Sequence, residues 1–244
     1  MAPTLTEEIA SAAARLVVEE GMEYGPAKRK AAKVLGRHSV RPAEMPANDA
    51  VEDEVRSYLQ LFCADTQPAE LQALRKVAGQ WMERLAPLRP HLAGAVWRGT
   101  ATRLSAVHLQ LYCDDSKQAE IFLLDQRVLY EVGSRPGPRG ESVDVLTVSS
   151  TSPALDEPVT VHLTVLDHDD LRGALKPDAR GLTTCGDLAA LRGQAATLAQ
   201  TRDQLQAGNK NLKNEIVDLQ KQKDEELRRT MAAAARRSAR RAGL

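Results

Sequence analysis

The sequence predicts an α+β fold, with helices at the amino end, a mixed β-sheet in the middle and a long helix at the carboxyl end. Three changes of pattern support this prediction. Apolar residues recur with the helical period up to about residue 85, and then with the two-residue period of strands as far as residue 166. Beyond Asp187 a leucine recurs every seven residues, which indicates helix again. The predicted parts are a helical N-terminal region (1–67), a sheet domain (68–183) and a long helix with a basic tail (184–244).

Composition excludes several classes of protein. The 244 residues are 43% hydrophobic and 27% charged, an ordinary globular mixture. Aromatic residues make up only 3%, which argues against base stacking on aromatic rings as the main mode of binding. The three cysteines, Cys63, Cys113 and Cys185, form no C-x-x-C pair, so neither a zinc knuckle nor a disulfide framework is indicated. The acidic amino end and the lack of a long apolar run predict a cytoplasmic protein without a membrane partner.

Four helices are predicted before the sheet, and four of their ends carry a signal. Thr4 or Thr6 supplies an N-cap for the first helix, and Gly21 ends it. Pro26 stands in the favourable first turn of the second helix, which stops at Gly36. The segment after Gly36 holds two prolines and is predicted to be a loop. The predicted helices span residues 4–20, 26–35, 48–63 and 68–85.

Five stretches of alternating pattern are predicted as strands. They span residues 92–97, 106–112, 127–132, 142–149 and 158–166, with a short helix in SKQAEIFLLDQ and a turn at 133–142. In the second strand His108 lies on the polar face, and in the fifth strand His162 does the same. Alternation alone is compatible with two interpretations: a polar face that meets solvent, or a cleft with a histidine on each of two strands.

The run GAVWRGTATRLSAVHLQL is similar to the signature of the nucleotidyltransferase (polymerase-beta-like) superfamily. That signature is an apolar residue and Gly-Ser, about ten residues, and then Asp-apolar-Asp on a strand. The resemblance covers about residues 70–166, and it implies a nucleotidyltransferase-like sheet domain. It also implies nucleotide-binding roles for the residues that keep the spacing, which are Gly94, Arg98, Gly99 and Ser105. The whole chain resembles a poorly characterised proteobacterial family of such proteins.

Four positions that the signature requires for nucleotidyl transfer hold other residues here. Nucleotidyl transfer requires carboxylates that hold two divalent cations, and magnesium prefers oxygen ligands. Ala106 and His108 stand where the resemblance requires carboxylates, Ala95 replaces the phosphate-binding serine, and His162 lies where the third carboxylate is expected. The predicted function is therefore a non-catalytic nucleotidyltransferase-like protein that acts as an interaction or regulatory module.

An active enzyme with relocated ligands is the alternative. Its catalytic candidates are His108 and His162, and its candidate ligands for a divalent metal are Asp167, His168 and Asp169. A competing interpretation of these last residues is that they cap the helix or loop that follows.

The C-terminal segment predicts two kinds of partner. Residues 201–244 carry a net charge of +5, and the rest of the chain a net charge of −5. A coiled-coil homodimer is predicted through heptad positions Leu191, Leu198, Leu205, Leu212 and Leu219; the alternative is a solvated helix that folds back on the body. An anion-binding role, with nucleic acid as a further alternative partner, is predicted for Arg228, Arg229, Arg236, Arg237, Arg240 and Arg241.

Overall fold

The computed structural model describes residues 3–37, 39–178 and 180–241. The predicted α+β class is confirmed, because a six-stranded mixed sheet lies between helices that precede and follow it in the chain. The chain divides into two compact units, Met1–Leu191 and Arg192–Leu244. The first unit holds two separate apolar clusters, one formed by the first three helices and one by the sheet with the fourth helix.

The N-terminal helices agree closely with their predicted limits. They are α1 (Leu5–Glu20), α2 (Tyr24–Val34), α3 (Asn48–Phe62) and α4 (Gln67–Arg84). Thr4 caps α1: its hydroxyl accepts a hydrogen bond from the Glu7 amide at 3.3 Å, and the Glu7 carboxylate accepts from the Thr4 amide at 2.7 Å. Gly21 ends the helix in the left-handed region, with φ 66°, close against the backbone of Leu104. Any larger residue at this position would be strained and would clash.

The sheet forms from six strands that are not adjacent in chain order. They are β1 (Pro90–Ala93), β2 (Val107–Cys113), β3 (Glu131–Pro136), β4 (Ser142–Ser152), β5 (Glu157–Asp167) and β6 (Cys185–Gly186). Their order is β3-β4-β5-β2-β1-β6; β2 and β5 are parallel and the other neighbours antiparallel. The apolar faces of β2, β4 and β5 pack with α4 into the second cluster.

Two predicted strands differ from the structure. The strand predicted at 92–97 ends at Ala93, because Gly94 adopts φ 68° and starts the short helix α5 (Gly94–Arg98). The strand predicted at 127–132 begins only at Glu131 and continues to Pro136, so its second half lies in the region that was predicted to be a turn. The turn itself occupies 137–141, closed by the Gly137 amide donating to the Glu141 carbonyl at 2.7 Å. The two-residue strand β6 is too short to produce an alternating pattern.

Helices complete the chain on either side of β6. Helix α6 (Gln118–Asp125) follows β2, α7 (Leu171–Ala174) follows β5, and α8 (Leu188–Arg241) is the predicted long helix. Leu191, in the first turns of α8, is only 4% exposed and packs in the sheet cluster. Its assignment to a dimer seam is therefore wrong, since the core of its own chain already covers it. None of the helices in the described ranges is long and apolar enough to cross a bilayer.

Candidate functional site

The β1–α5–β2 segment brings most of the predicted nucleotide-binding residues to one place. Gly94, Arg98 and Ser105 line a cavity of about 330 Å³, hereafter the signature pocket. Gly94 is required here twice over, because its φ is 68° and a Cβ would lie 3.2 Å from the ring of His108. Gly99 lies outside this lining and caps α5 in the left-handed region, with φ 81°. Its role in the structure is to end the helix.

Acidic side chains from the helical region face the signature pocket. Glu23, between α1 and α2, lines it together with Asp49 and Glu52 of α3. Asp178, from the segment after α7, lies on the same lining. None of these four carboxylates was predicted from the sequence, because the elements that carry them are remote from the signature in the chain. Their presence makes the pocket predominantly acidic.

Arg98 is fully engaged by these carboxylates. Its Nε donates to both oxygens of Glu52, at 2.9 and 3.2 Å, and its Nη1 lies 3.4 Å from Oδ2 of Asp178. Glu52 is buried and Arg98 is partly buried, with side chains 5% and 13% exposed. Burial opposes the charge on Arg98, but the contacts with Glu52 and Asp178 outweigh it and raise the pKa of the guanidinium. The charge is therefore matched within the fold.

Glu52 is itself held by two cations. Arg56, one turn further along α3, donates to Oε1 of Glu52 at 2.7 Å and to the Arg98 carbonyl at 2.6 Å. A carboxylate that is 4% exposed as a whole residue has lost most of its contact with water, and these two cations compensate for that loss. The Arg98–Glu52–Arg56 cluster thus ties α3 of the helical region to α5 of the sheet domain.

The two predicted catalytic histidines, hereafter the histidine pair, lie side by side. His108 of β2 is the register partner of His162 of β5, and their ring centroids are 5.1 Å apart. His108 Nε2 lies 2.9 Å from Oε1 of Glu23, and His162 Nδ1 lies 3.0 Å from Oγ1 of Thr147 on β4. His108 is only 20% exposed, so the polar face of the sheet is partly covered at this point.

The pKa values of His162 and Glu23 are both lowered, but by different causes. Burial, together with the nearby His108 and Arg135, lowers the pKa of His162. The hydrogen bond with His108, reinforced by the positive charges around it, lowers the pKa of Glu23. At neutral pH the site therefore combines an ionised Glu23 with an uncharged His162.

The predicted metal ligands are not brought to the histidine pair. Asp167, His168 and Asp169 follow the far end of β5, five or more residues beyond His162, or about 16 Å along the strand. The Asp167 carboxylate accepts a hydrogen bond from the Asp169 amide at 2.8 Å, which confirms the competing interpretation that it caps the turn that follows. Within the described residues, no three His, Cys, Asp or Glu side chains are placed to hold a metal ion.

A second cavity, of about 500 Å³, opens at the carboxyl ends of β2 and β5. Its acidic lining is partly neutralised by Arg139, whose guanidinium lies 2.8 Å from Oδ1 of Asp170. Burial raises the pKa of Cys113, which also lines this cavity, to about 11. The thiol is therefore protonated at neutral pH and is a poor nucleophile. The acidic residues of this lining are Asp114, Glu141, Asp144, Asp167 and Asp170.

The predicted seam and basic end of α8 lie on the second unit. Four seam leucines, Leu198, Leu205, Leu212 and Leu219, are 56–65% exposed. Arg228 is exposed, and Arg229, also exposed, contacts Glu225 at 2.8 Å. The side chains of Arg236, Arg237, Arg240 and Arg241 lie outside those that the structure describes.

Comparisons with known proteins identify no family for the chain. No protein-family model matches it, and no curated protein matches it.

Proposed function

We propose that this chain is a nucleotidyltransferase-like protein that does not transfer nucleotides and works as an interaction or regulatory module. The observation that carries the proposal is the set of side chains on the polar face of β2 and β5. At the start of β2, Ala106 offers no ligand, and His108 and His162 offer ring nitrogens 5.1 Å apart by centroid. Nitrogen ligands suit zinc or copper, whereas the cations of nucleotidyl transfer require oxygen.

The charge of the signature pocket supports the same proposal. A nucleoside triphosphate carries several negative charges and needs cationic groups that are free to meet it. Arg98 is already paired with Glu52 and Asp178, and Glu23 and Asp49 add further negative charge to the lining. A triphosphate would have to displace buried ion pairs and approach carboxylates, so we expect it to bind weakly.

The backbone around β1 and β2 supports the proposed similarity to nucleotidyltransferases. Gly94 still provides the sharp turn from β1 into α5, and β2 still follows as the neighbour of β1. In the proposed function this framework positions the histidine pair and the buried ion pairs for a partner instead of a substrate.

Two assays test the proposal with purified protein. Nucleotide binding is measured by calorimetry with and without Mg²⁺, and transfer is measured with radiolabelled nucleoside triphosphates. We expect no Mg²⁺-dependent transfer, and no tightening of nucleotide binding when Mg²⁺ is added. Mg²⁺-dependent transfer would contradict the proposal. If His108→Ala then abolished both transfer and a stoichiometric bound metal, the alternative of relocated ligands would be supported.

A second candidate function is favoured by α8, which would both associate with a second copy of itself and bind an anionic partner. Leucines exposed by more than half at every seventh position leave an apolar stripe that a second α8 would cover. Arginines then follow without intervening acids at 228–244, a segment that would bind phosphates of a nucleic acid. Deleting residues 228–244 should abolish a salt-sensitive gel shift while leaving sedimentation as a dimer unchanged. A gel shift that survives the deletion would exclude the arginines as the contact.

A further inference from the structure

Strand β3 is an open edge of the sheet. In the described part of the chain it occupies one end of the strand order, with β4 as its neighbour. All six of its residues are exposed. An exposed edge presents unpaired backbone donors and acceptors to any strand that approaches.

The turn after β3 determines which residues of the strand form backbone hydrogen bonds with β4. The Gly137 amide donates to the Glu141 carbonyl, and the same register continues back to Glu131 opposite Thr147. Hydrogen-bonded and non-hydrogen-bonded pairs alternate along an antiparallel ladder. Odd-numbered residues of β3 therefore bond to β4, while Val132 and Ser134 direct their amides and carbonyls away from the sheet.

We infer that two copies of this chain associate edge to edge through β3, antiparallel, about a two-fold axis at Gly133. This register places Val132 of one copy opposite Ser134 of the other, so the outward-pointing groups meet in four backbone hydrogen bonds. Residues 131, 133 and 135 then form the non-hydrogen-bonded pairs, in which the Cα atoms of the two copies lie closer together. The two sheets become one continuous sheet of twelve strands.

The side chains of β3 are complementary to themselves in this register. Glu131 of each copy faces Arg135 of the other, which gives two opposite-charge pairs across the axis. Within the described residues neither side chain forms a hydrogen bond or a salt bridge of its own. Gly133 of one copy faces Gly133 of the other, and neither has a side chain that would keep the two backbones apart. This self-complementarity favours a second copy over an unrelated strand as the occupant of the edge.

Features at either end of β3 limit the pairing. Pro136 has no amide hydrogen, so the ladder cannot extend with full bonding beyond Arg135. Before the strand, Leu129 is 92% exposed, and Val132 within it is 60% exposed. Val132 lies within the paired segment, where the second copy would cover it, and Leu129 lies two residues before that segment. A five-residue pairing is small for an interface, so we expect a weak dimer that forms at high protein concentration.

A cysteine at the axis tests this register directly. In full-length protein with Cys63→Ser, Gly133→Cys places two thiols opposite each other at a spacing suited to a disulfide. The substitution is sterically mild, since a Cβ at Gly133 meets only the Val145 carbonyl, at 3.8 Å. The matched control is Ser134→Cys, which faces Val132 of the second copy instead of its own equivalent. Cys113 and Cys185 are buried and remain in both proteins.

Under mild oxidation we expect a disulfide-linked dimer with Gly133→Cys and little with Ser134→Cys. Because this contrast depends on register, association through α8 alone would not produce it. Equal cross-linking at both positions, or none at position 133, would overturn the inference.

Charge exchange supplies a second test in the Gly133→Cys background. Glu131→Arg or Arg135→Glu alone places like charges across the axis twice, and each should slow cross-linking by roughly tenfold. The double variant Glu131→Arg/Arg135→Glu restores opposite charges and should restore the rate. Failure of the double variant to recover, when its circular dichroism and melting curve match those of the single variants, would also overturn the inference. The outcome is independent of whether the signature pocket binds nucleotide.

Discussion

Leu191 and Leu205 occupy equivalent heptad positions of the same helix, α8, and have opposite surroundings. Leu191 is 4% exposed inside the sheet cluster of the first unit, whereas Leu205 in the second unit is 65% exposed. Arginines show the same contrast: Arg98 is partly buried and paired with carboxylates, and Arg228 is exposed. In both contrasts the residue of the first unit is covered or paired within the chain, while the residue of the second unit is exposed. A residue pattern therefore defines a surface, and its surroundings decide whether that surface is core or interface.

The largest expected effect comes from removing a cation that pairs with a buried carboxylate of the first unit. Arg98→Met leaves Glu52 with Arg56 as its remaining cation and leaves part of Asp178 unpaired, so we expect the free energy of unfolding to fall by about 3 kcal/mol. Urea denaturation of the full-length protein measures this change. The control is Arg180→Met, which breaks an exposed ion pair with Asp53 and should cost less than about 1 kcal/mol. Similar losses in the two variants would refute the distinction between buried and exposed charges.

The two heptad leucines give the next largest effect and the sharpest test of the comparison. Leu191→Ala removes a buried side chain and should lower the unfolding free energy of the first unit by about 2–3 kcal/mol. Leu205→Ala should leave that value within about 0.5 kcal/mol, because Leu205 is exposed. Denaturation followed by the fluorescence of Trp81 and Trp97, which both lie in the sheet cluster, reports on the first unit alone.

Sedimentation of the same two proteins tests the other half of the comparison. If α8 associates with a second copy, Leu205→Ala weakens the dimer although it does not destabilise the first unit. A change in the first unit's stability with Leu205→Ala would show that this leucine is covered within its own chain, and the comparison would fail.

The smallest expected effect is the pH dependence that His162 contributes to stability. Its pKa in the folded protein lies below the ordinary value of 6.5, so between these two pKa values the unfolded chain binds more protons. The unfolding free energy should therefore fall as pH decreases through 6.5 toward the lower folded pKa, and His162→Asn should remove this part of the slope. NMR titration of the His162 ring measures the pKa itself. Glu23→Gln should lower it further, since the negative charge of Glu23 raises it.

Local patterns predicted the four N-terminal helices to within two residues. Each of these helices carries its own period, and α1 its own cap, so the information lies inside the segment. The alternation of β2 and β5 likewise placed His108 and His162 on polar faces. Their direct pairing, at the same level of two parallel strands, depended on register, which alternation alone does not set.

The residues that contact Arg98 and His108 could not be predicted from the sequence. Arg98 meets Glu52 and Asp178, and His108 meets Glu23, only because the tertiary fold brings together segments separated by 46 to 85 positions. The helix at Gly94–Arg98 was missed for a local reason: a segment of five residues is too short for its period to distinguish strand from helix.

The parallel pairing of β2 with β5 has a consequence for how this protein reaches its native state. Val107 and Val161 are joined across the sheet but lie more than fifty positions apart in the chain, with α6 and the hairpin of β3 and β4 between them. Closing so long a loop costs entropy before any contact compensates for it, so this step should set the pace of folding. The helices α1 to α3, whose contacts are local, should form ahead of it, and the histidine pair should be assembled last.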